Sequence, residues 1–489
     1  MAAGKLTNWN SEKIFATLKS IVGPENVSCN KVDLIPYSRD WSLANASTIY
    51  MPDIVVRPKT TTEIAEVVRM ANKERIPVVP WGGGTGLSGG ALAVKGGIMI
   101  DMKGLDRIIE IDEENLTITT QTGITVQKLN EALKKHQLWW PHDPESKFAS
   151  TVGAAIACDN AGTFGTKYGG SLVDYLLGIE VVLPTGDVVK FGSQAPHSVS
   201  GYPLHWLFIG SEGTLGIITQ ATLRVYRLPQ YRCVDIIVFD SFKSAINAGL
   251  KIIEAGLDPE SIHIMAKEGF IYYTKLYEVM FNKAFKPPEK MEAAMAISFA
   301  GSKDVAEFQR SVASKIFVEA GGMVVEEREL VDIFWTEKHT LSYDAGKNPW
   351  PLSQTQYKYT GIDLCVPIGK VPVLYEKYKG LLKKYNFKPA TGCFMYSKRL
   401  KFAPNCIFTI NVNDEDPEEV ERAKKFICEL AKYSIKYGGT ISSSRGVGIA
   451  VTQSLMPVEH THRALELMKK LKQMLDPNNI MNPGKKLAD

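Results

Sequence analysis

Pro80 to Gly90 reads PWGGGTGLSGG, and six of those eleven residues are glycine. Thr85 and Ser88 supply its only hydroxyls. Backbone without side chains can turn through angles that only glycine adopts cheaply, and it lets a bulky anion reach consecutive N–H groups. The chemistry this suits is the cradling of a pyrophosphate. The stretch is neither GxGxxG opening a helix nor GxxxxGK[ST], and no lysine follows to reach a terminal phosphate, so both common nucleotide signatures fail. Two further glycine-bearing stretches share the N-terminal half: STVGAAIACDNAGTFGTKYGG from Ser150 to Gly170, and GSEGTLG from Gly210 to Gly216. Three such stretches exceed what turns alone require.

The elements around them must hold these loops in place. Ile54-Val55-Val56 and Ile76–Val79 are short β-branched runs that predict buried strands. Between them Thr60 and Glu63 have capping-box spacing, and Ile64, Val67, Val68 and Ala71 fall on one helical face. Strand, helix, strand and glycine loop make a βαβ unit that ends in a phosphate cradle. Ile98–Met102 predicts another strand and Thr117–Thr120 a half-buried one. Thr125–Lys135 predicts a helix with Val126, Leu129 and Leu133 facing inward. Leu177–Leu183 and Val188–Phe191 pair around Pro184-Thr185-Gly186-Asp187. In the second glycine stretch Gly153, Ala154, Ala155, Ala157, Ala161 and Gly162 are all small. Backbone there can pack against a flat ring system, or against a neighbouring helix.

The pattern changes at Leu228-Pro229, where we expect a domain boundary. Beyond it sheet and helix alternate without glycine loops. Strands are expected at Asp235–Phe239, Ala293–Phe299 and Ile362–Val366, and helices at Phe242–Ala255, Ser302–Ala320, Val371–Tyr385 and Glu459–Leu475. The expected division is 1–228, 229–437 and a returning segment, 438–489.

At 489 residues the chain exceeds one compact core. With 45% hydrophobic and 22% charged residues its composition is that of an ordinary globular protein. A formal charge of +4 is mild, and no basic cluster with interleaved aromatics marks a nucleic-acid surface. No apolar run approaches the ~18–20 residues that span a bilayer. The N-terminal MAAGKLTNWNSEKIF lacks a signal-peptide core, which favours a cytoplasmic location. Seven scattered cysteines form no CxxC pair, so neither an iron–sulfur cluster nor a zinc ribbon is written here.

The three glycine stretches, with FIGSEGTLGIITQATLRV extending the third and DPNNIMNPGK near the C-terminus, resemble the FAD-linked oxidase superfamily that includes vanillyl-alcohol oxidase. The resemblance is strongest to its D-lactate dehydrogenase and glycolate oxidase flavin-subunit branch. It implies an α+β fold: a two-subdomain FAD-binding domain and an α+β substrate cap. It also implies FAD contacts from Pro80, Gly82, Gly83, Gly84, Thr85, Gly86, Leu87 and Ser88, and from Pro144, Ser150, Thr151, Gly153, Ala157, Asn160, Ala161, Gly162 and Tyr168. Gly213, Ile217 and Asn482 complete that set, with Asn482 reaching the isoalloxazine edge. Thr85 stands where several relatives carry a flavin-linking histidine, so dissociable FAD is expected.

The branch's metal-site motifs are broken. Against GGxxSxEHGxG the chain sets GGTISSSRGVG, with Ser444 for the glutamate and Arg445 for the histidine; Phe402 to Thr409 replaces HxGDGNxH and loses both histidines. A hard cation needs carboxylate or imidazole ligands, so no metal is expected. Arg445 stays protonated and cannot act as the missing base, but it can hold an anion. By resemblance Lys338 and Lys358 stand at substrate-binding positions, and Arg399 is a weaker candidate. Tyr359, with Tyr357 and Tyr396, is a phenol whose pKa neighbouring cations could lower. The activity implied is oxidation of a small anionic alcohol, most plausibly a 2-hydroxy acid such as D-lactate or glycolate, by hydride transfer to flavin. A quinone, an electron-transfer protein or oxygen would accept the electrons, and a homodimer is allowed. The alternatives are a relative of alkylglycerone-phosphate synthase, or a flavin-binding electron-transfer subunit without catalysis.

Overall fold

The computed structural model describes residues 11–46, 48–338, 357–397 and 403–487, with the backbone alone at 11, 45, 357–359, 390–397 and 403–404. Three main sheets carry the chain. The first orders Val27–Ser28, Ile54–Val56, Ile98–Asp101 and Val78–Trp81, and its last three strands are parallel. Ile54, Val56, Ile98, Ile100 and Val78 join one core cluster, while Val55, Met99, Val79 and Trp81 join another. Both faces are covered, as parallel sheets require.

The strand expected at Ile76–Val79 runs instead from Val78 to Trp81, into the start of the glycine stretch. Pro80 is tolerated inside it because this is the edge strand, where a missing N–H breaks no ladder. Thr60 caps the helix Thr61–Glu74, its side-chain oxygen accepting from the Glu63 N–H at 3.1 Å. The C-terminal segment returns to the free edge: the Val78 N–H donates to the Ile480 carbonyl and the Asn482 N–H to the Val78 carbonyl.

The second sheet is antiparallel, ordered Ile108–Asp112, Thr117–Gln121, Ile217–Arg224, Leu176–Val182 and Val188–Gly192. Thr117–Gln121 is more buried than its alternation suggests, only Thr119 being partly open. Its helix Val126–Lys134 buries Val126, Leu129 and Leu133 as its spacing requires.

The third sheet has seven strands: Met323–Val324, Tyr231–Phe239, Ala293–Gly301, Ser261–Ala266, Pro389–Ser397, Ala403–Asn413 and Tyr357–Cys365. Four of these, Met323–Val324, Ser261–Ala266, Pro389–Ser397 and Ala403–Asn413, were not expected, nor was the helix Pro417–Lys436. Ser261–Ala266 is buried at all six positions, so no alternation betrays it. The helices Phe242–Glu254, Lys303–Glu319 and Val371–Tyr385 lie close to their expected bounds.

Candidate active site

A cleft of about 270 Å³ lies where the three sheets meet. Its floor is the first glycine stretch. Gly83 packs so closely that a Cβ there would sit 2.1 Å from the Ala149 carbonyl oxygen. Gly84 has φ +66 and lies over the Trp81 ring, which a Cβ would strike at 2.3 Å. Neither position tolerates a side chain. Gly83→Ala should therefore displace the loop and lower bound FAD by about tenfold or more, read as flavin absorbance per chain after gel filtration. Unchanged flavin content would show that the loop is not the cofactor cradle.

One wall is the helix Val152–Cys158, whose N-cap Thr151 accepts from the Ala154 N–H at 3.4 Å. Gly153 lines the cleft, but its missing Cβ is aimed at Thr122, 2.9 Å away, so it also serves a tight helix contact. His142 is fully buried and hydrogen-bonded through Nε2 to Asn160 Oδ1 at 3.0 Å. Burial pushes its pKa down to about 4, so it holds Asn160 as a neutral ring. The other wall is Glu212–Ile218.

The segment after Gly438 is zipped onto this base. Ser88 Oγ donates to the carbonyls of Arg445 and Gly446, both at 3.0 Å, and the Ile449 N–H donates to the Ser88 carbonyl. The buried Glu212 carboxylate accepts from the N–H groups of Val447 and Gly448 at 2.9 and 2.7 Å. These five contacts place Arg445 at the cleft, although more than 350 residues separate it from Ser88.

The third sheet forms the roof. Asp363, from Tyr357–Cys365, pairs with Arg445 Nε at 2.6 Å, and their side chains are only 6% and 11% exposed. Ser444 Oγ donates to the second Asp363 oxygen at 2.7 Å, and Asn405 donates to Ser444 Oγ at 3.0 Å. Ser443 Oγ donates to Asn405 Oδ1. Asp363, Asn405, Ser444 and Arg445 all line the cleft. Sequence reasoning missed Asp363, and it named Asn405 only as part of a broken motif. The Arg445 charge is therefore shared with a carboxylate, which weakens it as a substrate anchor.

Lys338 also lines the cleft. Its Nζ donates to the Trp335 carbonyl at 2.8 Å and lies 4.4 Å from the centre of the Trp335 ring, with no ion pair among the described residues. Burial lowers its pKa to about 8; Asp143 and Glu260 oppose that shift, while Lys147 and Arg232 add to it.

Eighteen of the twenty residues expected at the cofactor line the cleft: Pro80, Gly82 to Ser88, Pro144, Ser150, Thr151, Gly153, Ala157, Asn160, Ala161, Gly162, Gly213 and Ile217. Two do not. Tyr168 is turned into an aromatic cluster, edge-on to Trp139 and Tyr226 at 5.4 and 4.8 Å. Asn482 sits behind the wall, its amide donating to the Gly90 and Glu212 carbonyls at 2.8 and 2.7 Å. Lys358 and Tyr359 lie on the roof strand, their backbones paired with Val412 and Asn411; their side chains, like those of Tyr357 and Tyr396, lie outside the described residues. Arg399 and Phe402 lie outside them altogether. Among the described residues no group of three His, Cys, Asp or Glu could hold a metal.

A cleft floored by bare glycine backbone and roofed by a second domain-sized sheet is that of a flavin-binding oxidoreductase. Residues 52–192 match the FAD binding domain and residues 228–486 the C-terminal domain of FAD linked oxidases, and the chain belongs to that family. It is 30% identical over 485 residues to a probable mitochondrial D-lactate dehydrogenase of Danio rerio, covering 97% of this chain and 92% of that protein. It is 29% identical over 473 residues to the glycolate oxidase subunit GlcD of Bacillus subtilis, covering 96% of each. Among solved structures, 4-ethylphenol oxidase from Gulosibacter chungangensis superposes with a TM-score of 0.81 at 17% identity, over 100% of this chain and 99% of that one. An alkyldihydroxyacetonephosphate synthase does so at 0.75 and 20%, over 99% and 88%. These two likenesses show the fold alone.

The residues present fit FAD. The N–H groups of Gly83 and Gly84 donate to nothing else among the described residues, as an anion cradle needs. Asn482 Oδ1 is buried without a donor directly behind the cleft wall. The protein is an FAD-dependent oxidoreductase of the class acting on CH–OH groups.

Proposed function

We propose that this chain oxidises a 2-hydroxy acid at the cleft, with FAD held non-covalently. The observation that carries the reading is the presence in one cleft, above the glycine loops, of a half-buried lysine with no carboxylate partner among the described residues, Lys338, and a buried carboxylate, Asp363. The names of the relatives, D-lactate dehydrogenase and glycolate oxidase subunit, support the same substrate class. FAD, when bound, supplies the two-electron acceptor for the substrate hydride. Lys338 binds the substrate carboxylate through a charge-assisted hydrogen bond. Asp363 takes the hydroxyl proton as the C–O bond becomes a carbonyl. Ser444 and Arg445 are positioning residues that fix both Asp363 oxygens.

The domain division at 1–228, 229–437 and 438–489 is supported by the third sheet, whose first strand begins at Tyr231, and by the tail's bonds to Val78. The described cysteines are free thiols, which supports a reducing, cytoplasmic setting. No helix among the described residues is long and apolar enough to cross a membrane. The electron acceptor is a separate molecule.

Anaerobic mixing with a panel of 2-hydroxy acids tests the activity. Flavin bleaching is the expected result, and bleaching by light but by no 2-hydroxy acid would overturn the reading. Thr85 in place of a linking histidine makes the flavin dissociable, so acid precipitation should leave the yellow colour in the supernatant. Colour retained in the pellet would require a covalent link elsewhere.

A further inference from the structure

The roof of the cleft has two chemically distinct ends. Backbone register sets Met265, Cys393, Ile407 and Asp363 in one row across four neighbouring strands. Asp363 stands at the polar end of that row, beside Ser444 and Arg445. Ile407, next to Asp363 in the row, and Met265 at its far end both line the cleft, and Tyr273 and Phe334, which also line it, cluster with Met265. Met265, Tyr273 and Phe334 are each 3% exposed, and the last two rings meet edge-on at 4.9 Å. Four apolar or aromatic side chains thus face the space above the glycine loops. A hydroxymethyl or methyl group such as glycolate or lactate offers would leave that surface uncovered. Methionine is unbranched and polarisable, so it adapts to a variable apolar guest.

Charge narrows the choice further. Lys338 and Arg445 are the cations among the described lining residues, and Arg445 is held by Asp363. One carboxylate can be matched by Lys338. A second would meet no other uncompensated cation among the described residues, and burying it without one is costly.

We propose that the substrate is a 2-hydroxy monocarboxylic acid with a bulky apolar side chain, branched-alkyl or aryl, seated against Met265, Tyr273, Phe334 and Ile407. This rests on the 2-hydroxy acid reading above and narrows it. Each buried methylene is worth roughly a fourfold gain, so preference should climb steadily with side-chain size.

The test is the rate of anaerobic flavin bleaching by the holoenzyme, as kcat/KM, across glycolate, D-lactate, 2-hydroxybutanoate, 2-hydroxy-4-methylpentanoate and 2-hydroxy-3-phenylpropanoate, with malate and 2-hydroxyglutarate alongside. The expected result is a rise of more than tenfold from lactate to the two bulky acids, with both dicarboxylates poor. In Ile407→Ala the ratio of 2-hydroxy-4-methylpentanoate to lactate should narrow by about tenfold, whereas Met265→Leu should keep it. Should Ile407→Ala lose its flavin, Met265→Ala provides the same comparison. A flat series, a preference for glycolate or lactate, or a dicarboxylate as best substrate overturns the inference and leaves the 2-hydroxy acid reading standing. Bleaching by none of these acids, with photoreduction intact, overturns both.

Discussion

Asp363→Asn is expected to lower kcat/KM for 2-hydroxy acid oxidation by about 10²–10⁴-fold, the range a positioned general base supplies. Asparagine keeps the side chain's shape, and its amide oxygen can still accept from Ser444 Oγ. What it cannot do is take a proton. The strand Tyr357–Cys365 is paired along its whole length with Ala403–Asn413, so its register does not depend on this one side chain. FAD content should therefore be preserved, because the glycine loops lie on other elements. Ser444→Ala removes one bond to the same carboxylate and should cost only about three- to tenfold, in line with a single hydrogen bond. Stopped-flow bleaching under anaerobic conditions separates the two. Asp363→Asn bleaching at the wild-type rate would remove Asp363 from the chemistry and leave it a tether for Arg445.

The parts of the site that are local in sequence were legible, and those assembled by register were not. Gly82 to Ser88 could be read directly, because a run of glycines has few other uses at the end of a strand. Thr60, Val126 and Leu133 followed from capping and helical spacing. Arg445 could be singled out by motif, and it lines the cleft, but its partner could not be read. Asp363 reaches it only because the strand Tyr357–Cys365 pairs with Ala403–Asn413 and Ser443 folds back to donate its N–H to the Asp363 carbonyl at 2.9 Å. No pattern in the residues around position 363 announces that contact. Arg445 was expected to hold an anion together with Lys338 and Lys358, and the carboxylate that shares its charge, Asp363, went uncounted for the same reason. Tyr168 was drawn toward the cofactor by its neighbours in the glycine stretch. Its own environment is set by Trp139 and Tyr226, which arrive from a separate two-stranded ribbon. Ser261–Ala266 went unread because a strand buried on both faces loses the alternation that marks a strand.

Lys338 gives the prediction with the clearest sign. Below a pH of about 8 its amine is charged, and a substrate carboxylate is ionised at any pH above about 4. Binding therefore needs the protonated lysine, and kcat/KM should hold level up to about pH 8 and then fall close to tenfold per unit. The opposite role would give the opposite curve. A lysine acting as base works as the neutral amine, and activity would climb through the same pH. Lys338→Met should lower kcat/KM by about two decades at pH 7, mostly through KM, because the lost charge-assisted bond acts in binding. It should also abolish the descending limb. Lys338→Arg keeps a cation that does not titrate in range, so its limb should move out of the measured window. Unfolding cannot mimic this. The folded pKa lies below the ordinary 10.5 of lysine because burial penalises the charge. The charged form is thus a cost to the fold at every pH below about 8, and stability rises as pH passes from there towards 10.5. Replacing Lys338 with methionine removes that cost, so the variant should melt no lower than the wild type at pH 7. A limb near pH 8 that persists in Lys338→Met would assign the titration to another group and take the carboxylate anchor away from Lys338.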